Sequence, residues 1–344
     1  MARRDVLAAP FGTLADIEAA RARIDADIVV TPTVDSPSLS DRLGVPVRLK
    51  LEHRQMTGSF KLRGATNAVA LLPHGAQGVT AASTGNHGRA LSLAARRRGV
   101  AATICMSKLV PGNKVSEIRR LGAEARIVGG SQDEAQVEAE RLVAEANLSM
   151  VPPFDDPAVI AGQGTLGLEI VAQTPDVETV LIQVSGGGLA AGVAMAVKTL
   201  RPNARVIGVS MVRGAAMKAS LDAGRPVEVE EEETLADSLG GGIGLDNRLT
   251  FAMCRDLLDD LVLLSEDEIA AGIRHVYAEE REIVEGAGAV GVAALLAGKI
   301  RPAGPIVAVL SGRNIDMALH RDIVCGVWRD RREHAAMEEI PCRA

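Results

Sequence analysis

The sequence predicts an α/β protein of two units, each a sheet flanked by helices. Three observations carry that prediction. Short β-branched runs alternate with amphipathic stretches from Gly78 to Val151, a βαβ rhythm whose crossovers make strands parallel. A second alternating set runs from Thr179 to Leu310. Between the sets stand Pro152-Pro153 and Asp155-Asp156-Pro157, where successive prolines continue neither a helix nor a central strand.

Taken in order, Thr13-x-x-Asp16 opens a first helix, and a helical pattern covers Ala65 to Leu72. The first strand set is Gly78-Val-Thr-Ala-Ala, Ala101 to Met106, Ala125-Arg-Ile-Val and Met150-Val. The second is Thr179 to Val184, Arg205 to Val209, Leu261 to Leu264 and Pro305 to Leu310, with a helix over Leu189 to Leu200. Ser265-x-x-Glu268 is a full capping box. Glu230 to Glu233 reads as a solvated loop, and the charged stretch from Arg329 as a fraying end. This divides the chain into a large unit of residues 1–77 and 153–328, a small mobile unit of 78–152 and a charged tail of 329–344.

The chain has 344 residues and a formal charge of −6, from 38 Lys and Arg against 44 Asp and Glu. That balance argues against a nucleic-acid partner, since displacing counterions needs a clustered basic surface. Four Phe, one Tyr and one Trp are too few for a base-stacking platform, so the core must be Ala, Val, Leu and Ile. The longest uncharged apolar stretch, Gly286 to Gly298, is too short and glycine-rich to cross a bilayer and reads as a buried helix. The first residues lack the apolar core of a signal peptide, which points to the cytoplasm. Cys105, Cys254, Cys325 and Cys342 form no C-x-x-C pair and the six His no H-E-x-x-H, so neither disulfides nor a metal are expected.

Four loops carry chemistry. Thr57-Gly-Ser-Phe-Lys-Leu-Arg-Gly64 sets Lys61 at a helix start, where the dipole disfavours a cation and favours the neutral amine of a Schiff-base nucleophile. Ser83-Thr84-Gly85-Asn86-His87-Gly88 brings hydroxyls and main-chain N–H groups to a helix N-terminus, a site for a carboxylate. In Ser185-Gly186-Gly187-Gly188, consecutive glycines let amides surround a phosphate, and Ser311-Gly312-Arg313-Asn314 follows a buried strand with a hydroxyl. Singly, such turns are glycine-rich for backbone reasons alone. Together they meet the four needs of a pyridoxal phosphate enzyme.

In order and spacing these motifs resemble the fold-type-II pyridoxal phosphate enzymes, in the branch of threonine/serine dehydratases and serine racemases, from about Leu14 to Trp328. Leu49 to Lys61, Val209 to Met217 and Thr234 to Asp246 further resemble the hydroxyectoine-utilization dehydratases. The resemblance implies a two-domain fold like the tryptophan synthase β subunit, a homodimer, and a dehydratase releasing ammonia from a β-hydroxy α-amino acid. Lys61 would carry the cofactor and, with Ser83, form the catalytic pair. Phe60 would pack on the pyridine face, and Asn86 would bond the phenolic oxygen. Ser83, Thr84, Gly85 and His87 would surround the substrate carboxylate. Ser185, Gly186, Gly187, Gly188 and Leu189 would hold the phosphate, Ser311 would face the ring nitrogen, and Glu285 would lie near the ring. Relatives often have glycine at Ser185 and usually at Arg313, where a bulky cation is expected beside the pyridine edge. Many also bind a divalent ion after the strand equivalent to Arg205 to Ser210, but Ser210 to Ala216 carries no carboxylate, so none is expected here.

Two further readings stand beside this one. The same motifs fit a catabolic threonine or serine dehydratase or a serine racemase. Gly186-x-Gly188-x-x-Ala191 also fits a dinucleotide fingerprint, but Ser210 and Met211 replace its acidic ribose ligand, leaving only an NADP version anchored by Arg213.

Overall fold

The computed structural model describes residues 12–330 except 84 and 111. Strands are β1 (Thr33–Asp35), β2 (Val47–Lys50), β3 (Gly78–Ala82), β4 (Ala101–Met106), β5 (Glu124–Ile127), β6 (Leu148–Met150), β7 (Thr179–Gln183), β8 (Arg205–Met211), β9 (Asp260–Leu264) and β10 (Ile306–Val309). They form a six-stranded sheet ordered β1-β2-β10-β7-β8-β9 and a four-stranded sheet ordered β5-β4-β3-β6. Every pairing is parallel except β1 with β2. The helices are α1 (Leu14–Ile24), α2 (Pro37–Leu43), α3 (Lys61–Ala70), α4 (Asn86–Arg98), α5 (Gly112–Arg120), α6 (Gln132–Ala146) and α7 (Pro157–Gln173), then α8 (Gly188–Leu200), α9 (Ala216–Ala223), α10 (Thr250–Leu257), α11 (Glu266–Ala278), α12 (Gly286–Leu296) and α13 (Met317–Val324).

All eight anticipated strands are present, whereas β1 and β2 were not foreseen. In β2 the run Val-Arg-Leu-Lys suggests an exposed alternation, yet Lys50 is fully buried because carboxylate and carbonyl oxygens surround its amine. The first helix also closes a full capping box, since Asp16 Oδ2 reaches back to Thr13 N at 2.8 Å. The acidic run at 230–233 lies in a loop between α9 and α10.

With few aromatics, the core relies on close backbone approach. Helices α7 and α8 press together so tightly that a Cβ on Gly192 would fall 2.3 Å from the Ile160 carbonyl oxygen. Helix α12, of Gly, Ala, Val and Leu, is apolar all round and buried from Gly286 to Leu295, as such a helix must be. Helix α3 serves both units: Leu62, Ala65 and Val69 share a core with Val79, Leu91 and Ile104 around the smaller sheet, while Gly64 lies against α7. Among the described residues no helix is long and apolar enough to cross a membrane.

Candidate functional site

The four loops meet at the carboxyl ends of the strands around one cavity of about 370 Å3, a size usual for small-molecule sites. Lys61 is the first residue of α3, whose N-cap, Phe60, supplies no side-chain cap. The loop before it is laced to the loop after β10: Phe60 N donates to Ser311 O at 3.1 Å, Ser59 bridges Gly312, and Arg313 N donates to Gly58 O at 2.9 Å. This lacing puts Phe60, Lys61 and Ser311 on the cavity wall. Lys61 Nζ donates to Pro153 O at 2.7 Å and lies 5.4 Å from the Phe60 ring centroid. Burial lowers its pKa to about 8.

Ser185 follows β7, and the glycines after it open α8. Gly187 has φ +90°, a left-handed conformation that excludes most side chains, and no side chain caps α8. Phe154 packs on the loop so closely that a Cβ on Gly186 would fall 2.2 Å from its ring. Gln183, also on the cavity, keeps Oε1 buried without a partner. Uncapped amides through Leu189, a half-buried amine near neutrality and an unspent polar atom suit a phosphorylated aromatic aldehyde.

On the opposite sheet, Ser83 Oγ accepts from Gly88 N at 3.2 Å, leaving its own hydrogen for the cavity it lines with Gly85. Thr84 lies outside the described residues. His87 Nε2 is 2.8 Å from Val151 O, an oxygen that only accepts, so the ring hydrogen sits on Nε2. Burial, with the Lys61 charge nearby, drives its pKa down to about 3. A neutral His87 with Nε2–H committed offers a carboxylate no charge, so what it retains for that task is its main-chain N–H.

Asn86 joins the two sheets. Its Nδ2 donates to Glu285 Oε1 at 2.7 Å and to Ser238 Oγ at 3.3 Å, and its Oδ1 accepts from Asn314 Nδ2. Glu285 also accepts from Asn314 N at 2.9 Å, yet burial first, then the Asp237 charge, lifts its pKa to about 7. Gly312 makes room for this carboxylate: a Cβ there would lie 2.4 Å from Glu285 Oε1.

Two expectations are corrected. Arg313 is exposed and does not line the cavity, because its main chain pairs with Gly58 and turns the side chain outward, so its cation stays out of the cavity. Arg213 pairs with Asp330 and donates to Glu233 O at 3.0 Å, so it is not free for a nucleotide phosphate and the dinucleotide reading loses its anchor. Missed from sequence were Pro153, Phe154 and Gln183 on the wall and, at the mouth, Lys114 Nζ 4.0 Å from Asp237 Oδ2. The proline pair was legible only as a break in regular structure, and a carbonyl acceptor has no residue signature.

Residues 24–312 match the family model described as pyridoxal-phosphate dependent enzyme. Over 324 residues the chain is 65% identical to a Sinorhizobium fredii protein provisionally named a threonine dehydratase, covering 93% of this chain and 98% of that one. The structure of processed threonine deaminase isoform 2 from Solanum lycopersicum superposes with a TM-score of 0.84 at 40% identity, covering 90% of this chain and 91% of the other. Maize serine racemase superposes with a TM-score of 0.85 at 29% identity, covering 94% and 98%.

Proposed function

Because the chain belongs to the pyridoxal-phosphate dependent enzyme family, we propose that it eliminates water from a β-hydroxy α-amino acid to yield a keto acid and ammonia, the chemistry its dehydratase and deaminase relatives are named for. The observation that carries this reading is a half-buried Lys61 amine of near-neutral pKa on the same cavity as uncapped glycine amides and the Ser311 hydroxyl. When bound, pyridoxal phosphate supplies an electron sink for charge left at the substrate Cα.

The protein's own groups do the rest. Lys61 would hold the cofactor, and its Nζ, with a pKa of about 8, takes the Cα proton near neutral pH. Ser185, Gly186, Gly187, Gly188 and Leu189 would hold the phosphate at the start of α8, where the dipole favours an anion. Phe60 would flank the ring, Asn86 and Glu285 would meet its oxygen edge, and Ser311 would place a neutral hydroxyl at its nitrogen. Leaving that nitrogen unprotonated favours prompt elimination over transamination. Ser83, with the amides of Gly85 and His87 and with Thr84 by its motif, would hold the substrate carboxylate. Residues 78–152 would turn as a small unit on the Pro152-Pro153 segment against residues 1–77 and 153–328, with 329–344 a tail, in a cytoplasmic homodimer.

For the substrate, the stretches Leu49 to Lys61, Val209 to Met217 and Thr234 to Asp246 favour hydroxyectoine breakdown. Hydroxyectoine carries a hydroxyl β to its carboxylate, but its α-nitrogen belongs to a cyclic amidine. A primary amine is needed to exchange with Lys61, so a ring-opened derivative is the expected substrate. The deciding measurement is kcat/KM for the ring-opened compound, hydroxyectoine, L-threonine and L-serine side by side. If threonine is preferred tenfold, about 1.4 kcal/mol of transition-state preference, the protein is a catabolic threonine dehydratase.

A further inference from the structure

A dense group of buried charges lies behind Lys61, outside the cavity. Arg63, two residues along α3, and Lys50, ending β2, are both fully buried. The Arg63 guanidinium forks two carboxylates. Its Nε and Nη2 meet Glu52 at 2.8 and 2.7 Å, while Nη1 and Nη2 meet Glu169 of α7 at 2.7 and 2.9 Å. Lys50 Nζ donates to Glu169 Oε2 and Thr31 O, both at 2.6 Å, and Thr31 Oγ1 donates to Glu52 Oε1 at 2.6 Å. Two cations and two carboxylates balance, and the paired carboxylates hold Arg63 charged well above its usual range.

Such a cluster is a poor stabiliser, because attraction between buried ions roughly returns the cost of desolvating them. Its asset is geometric: a planar fork accepts two carboxylates in one orientation, which an ammonium cannot enforce. The start of α3 needs that constraint, since Phe60 gives it no side-chain cap. On a helix, side chains two residues apart diverge by about 200°. The fork therefore grips the first turn on the side away from Lys61.

We propose that Arg63, clamped by Glu52 and Glu169, is a positioning residue that sets the rotation of the first turn of α3 and so aims Lys61 Nζ into the cavity. The inference rests on Lys61 being the lysine that takes the cofactor.

The test uses the full-length apo-protein and pyridoxal without its phosphate, so that the glycine cradle plays no part. Borohydride trapping and peptide mapping give the rate of capture at Lys61. Arg63→Lys and Glu169→Gln are expected to slow capture at least tenfold, and in the holoenzyme to lower kcat by a similar factor with KM within twofold. Val171→Ala, which opens a cavity on the side of α7 turned about 200° from Glu169, is expected to lower the melting temperature without slowing capture. Wild-type capture rates in folded Arg63→Lys overturn the proposal; if that variant does not fold, wild-type rates in Glu169→Gln do so. Equal slowing in Val171→Ala also overturns it, because general loosening would then suffice. Trapping of wild type on a different lysine instead refutes the functional assignment of Lys61.

Discussion

Lys61 Nζ lies 2.7 Å from the carbonyl oxygen of Pro153, tying the amine at the start of α3 to the proline segment that joins the smaller sheet to α7. A carbonyl oxygen holds an ammonium more tightly than a neutral amine, so this contact works against desolvation, and burial nonetheless keeps the pKa near 8.

Capture of pyridoxal phosphate by apo-protein is therefore expected to rise with pH to half its maximum near 8, not near the 10.5 of an ordinary lysine. Lys61→Ala is expected to abolish elimination and the borohydride-reducible linkage. Mass spectrometry finding the reduced adduct on another lysine would refute the assignment.

Glu285 gives a pH signature of the opposite sense. Its carboxyl titrates near 7 when folded, against 4.5 unfolded, so folding binds a proton in that window. Stability from this group is present at low pH and lost as pH rises from 4.5 to about 7, by roughly 3 kcal/mol in all. Glu285→Gln removes the loss. The melting temperature of the apo variant minus that of wild type is expected to grow from pH 5 to pH 8, and a difference flat with pH counts against it.

Gly186→Ala puts a methyl group where the Phe154 ring lies, 2.2 Å away, and crowds the amides of the cradle. Fluorescence titration of apo-protein is expected to show cofactor affinity reduced at least tenfold, about 1.4 kcal/mol. Gly130→Ala, with nothing within 4 Å of the added carbon, serves as the control and is expected to bind normally.

Residues 210–216, the end of β8 and the turn after it, carry no carboxylate, and Arg213 beyond that strand is committed to Asp330. Hard cations need several oxygen ligands. Activity is expected to survive exhaustive chelation. Strong, reversible loss of activity restored by magnesium would contradict it.

Closure of the cleft is expected when a substrate analogue bridges Ser83 on the smaller sheet and the larger unit. Solution scattering with and without saturating analogue reads it, and an unchanged radius of gyration counts against it.

The gathering of these loops round one cavity was legible where residue type itself carries chemistry. A lysine among small residues, three glycines in a row, and serine or threonine beside glycine signal imine, phosphate and carboxylate sites because few other residues permit such close backbone approach. What stayed hidden depends on tertiary partners. The burial of Lys50 follows from Glu169, distant in sequence, so nothing local marks β2 as a buried strand. His87 faces Val151 O and Arg313 faces solvent for reasons of main-chain pairing that no spacing encodes. Most of the parallel strands were recovered because β-branched runs mark themselves, while β2 and the three-residue β1 did not.

The seam between α7 and α8 has a mechanical consequence. Helix α7 begins at Pro157, just beyond the proline segment, and its 17 residues make a rod about 25 Å long. Helix α8 begins at the glycine cradle. Where backbone meets backbone, no compliant layer of side chains can absorb a displacement, so a torque applied at the prolines reaches the cradle undamped. The seam makes α7 and α8 one stiff body in which the glycine cradle is carried with the proline segment.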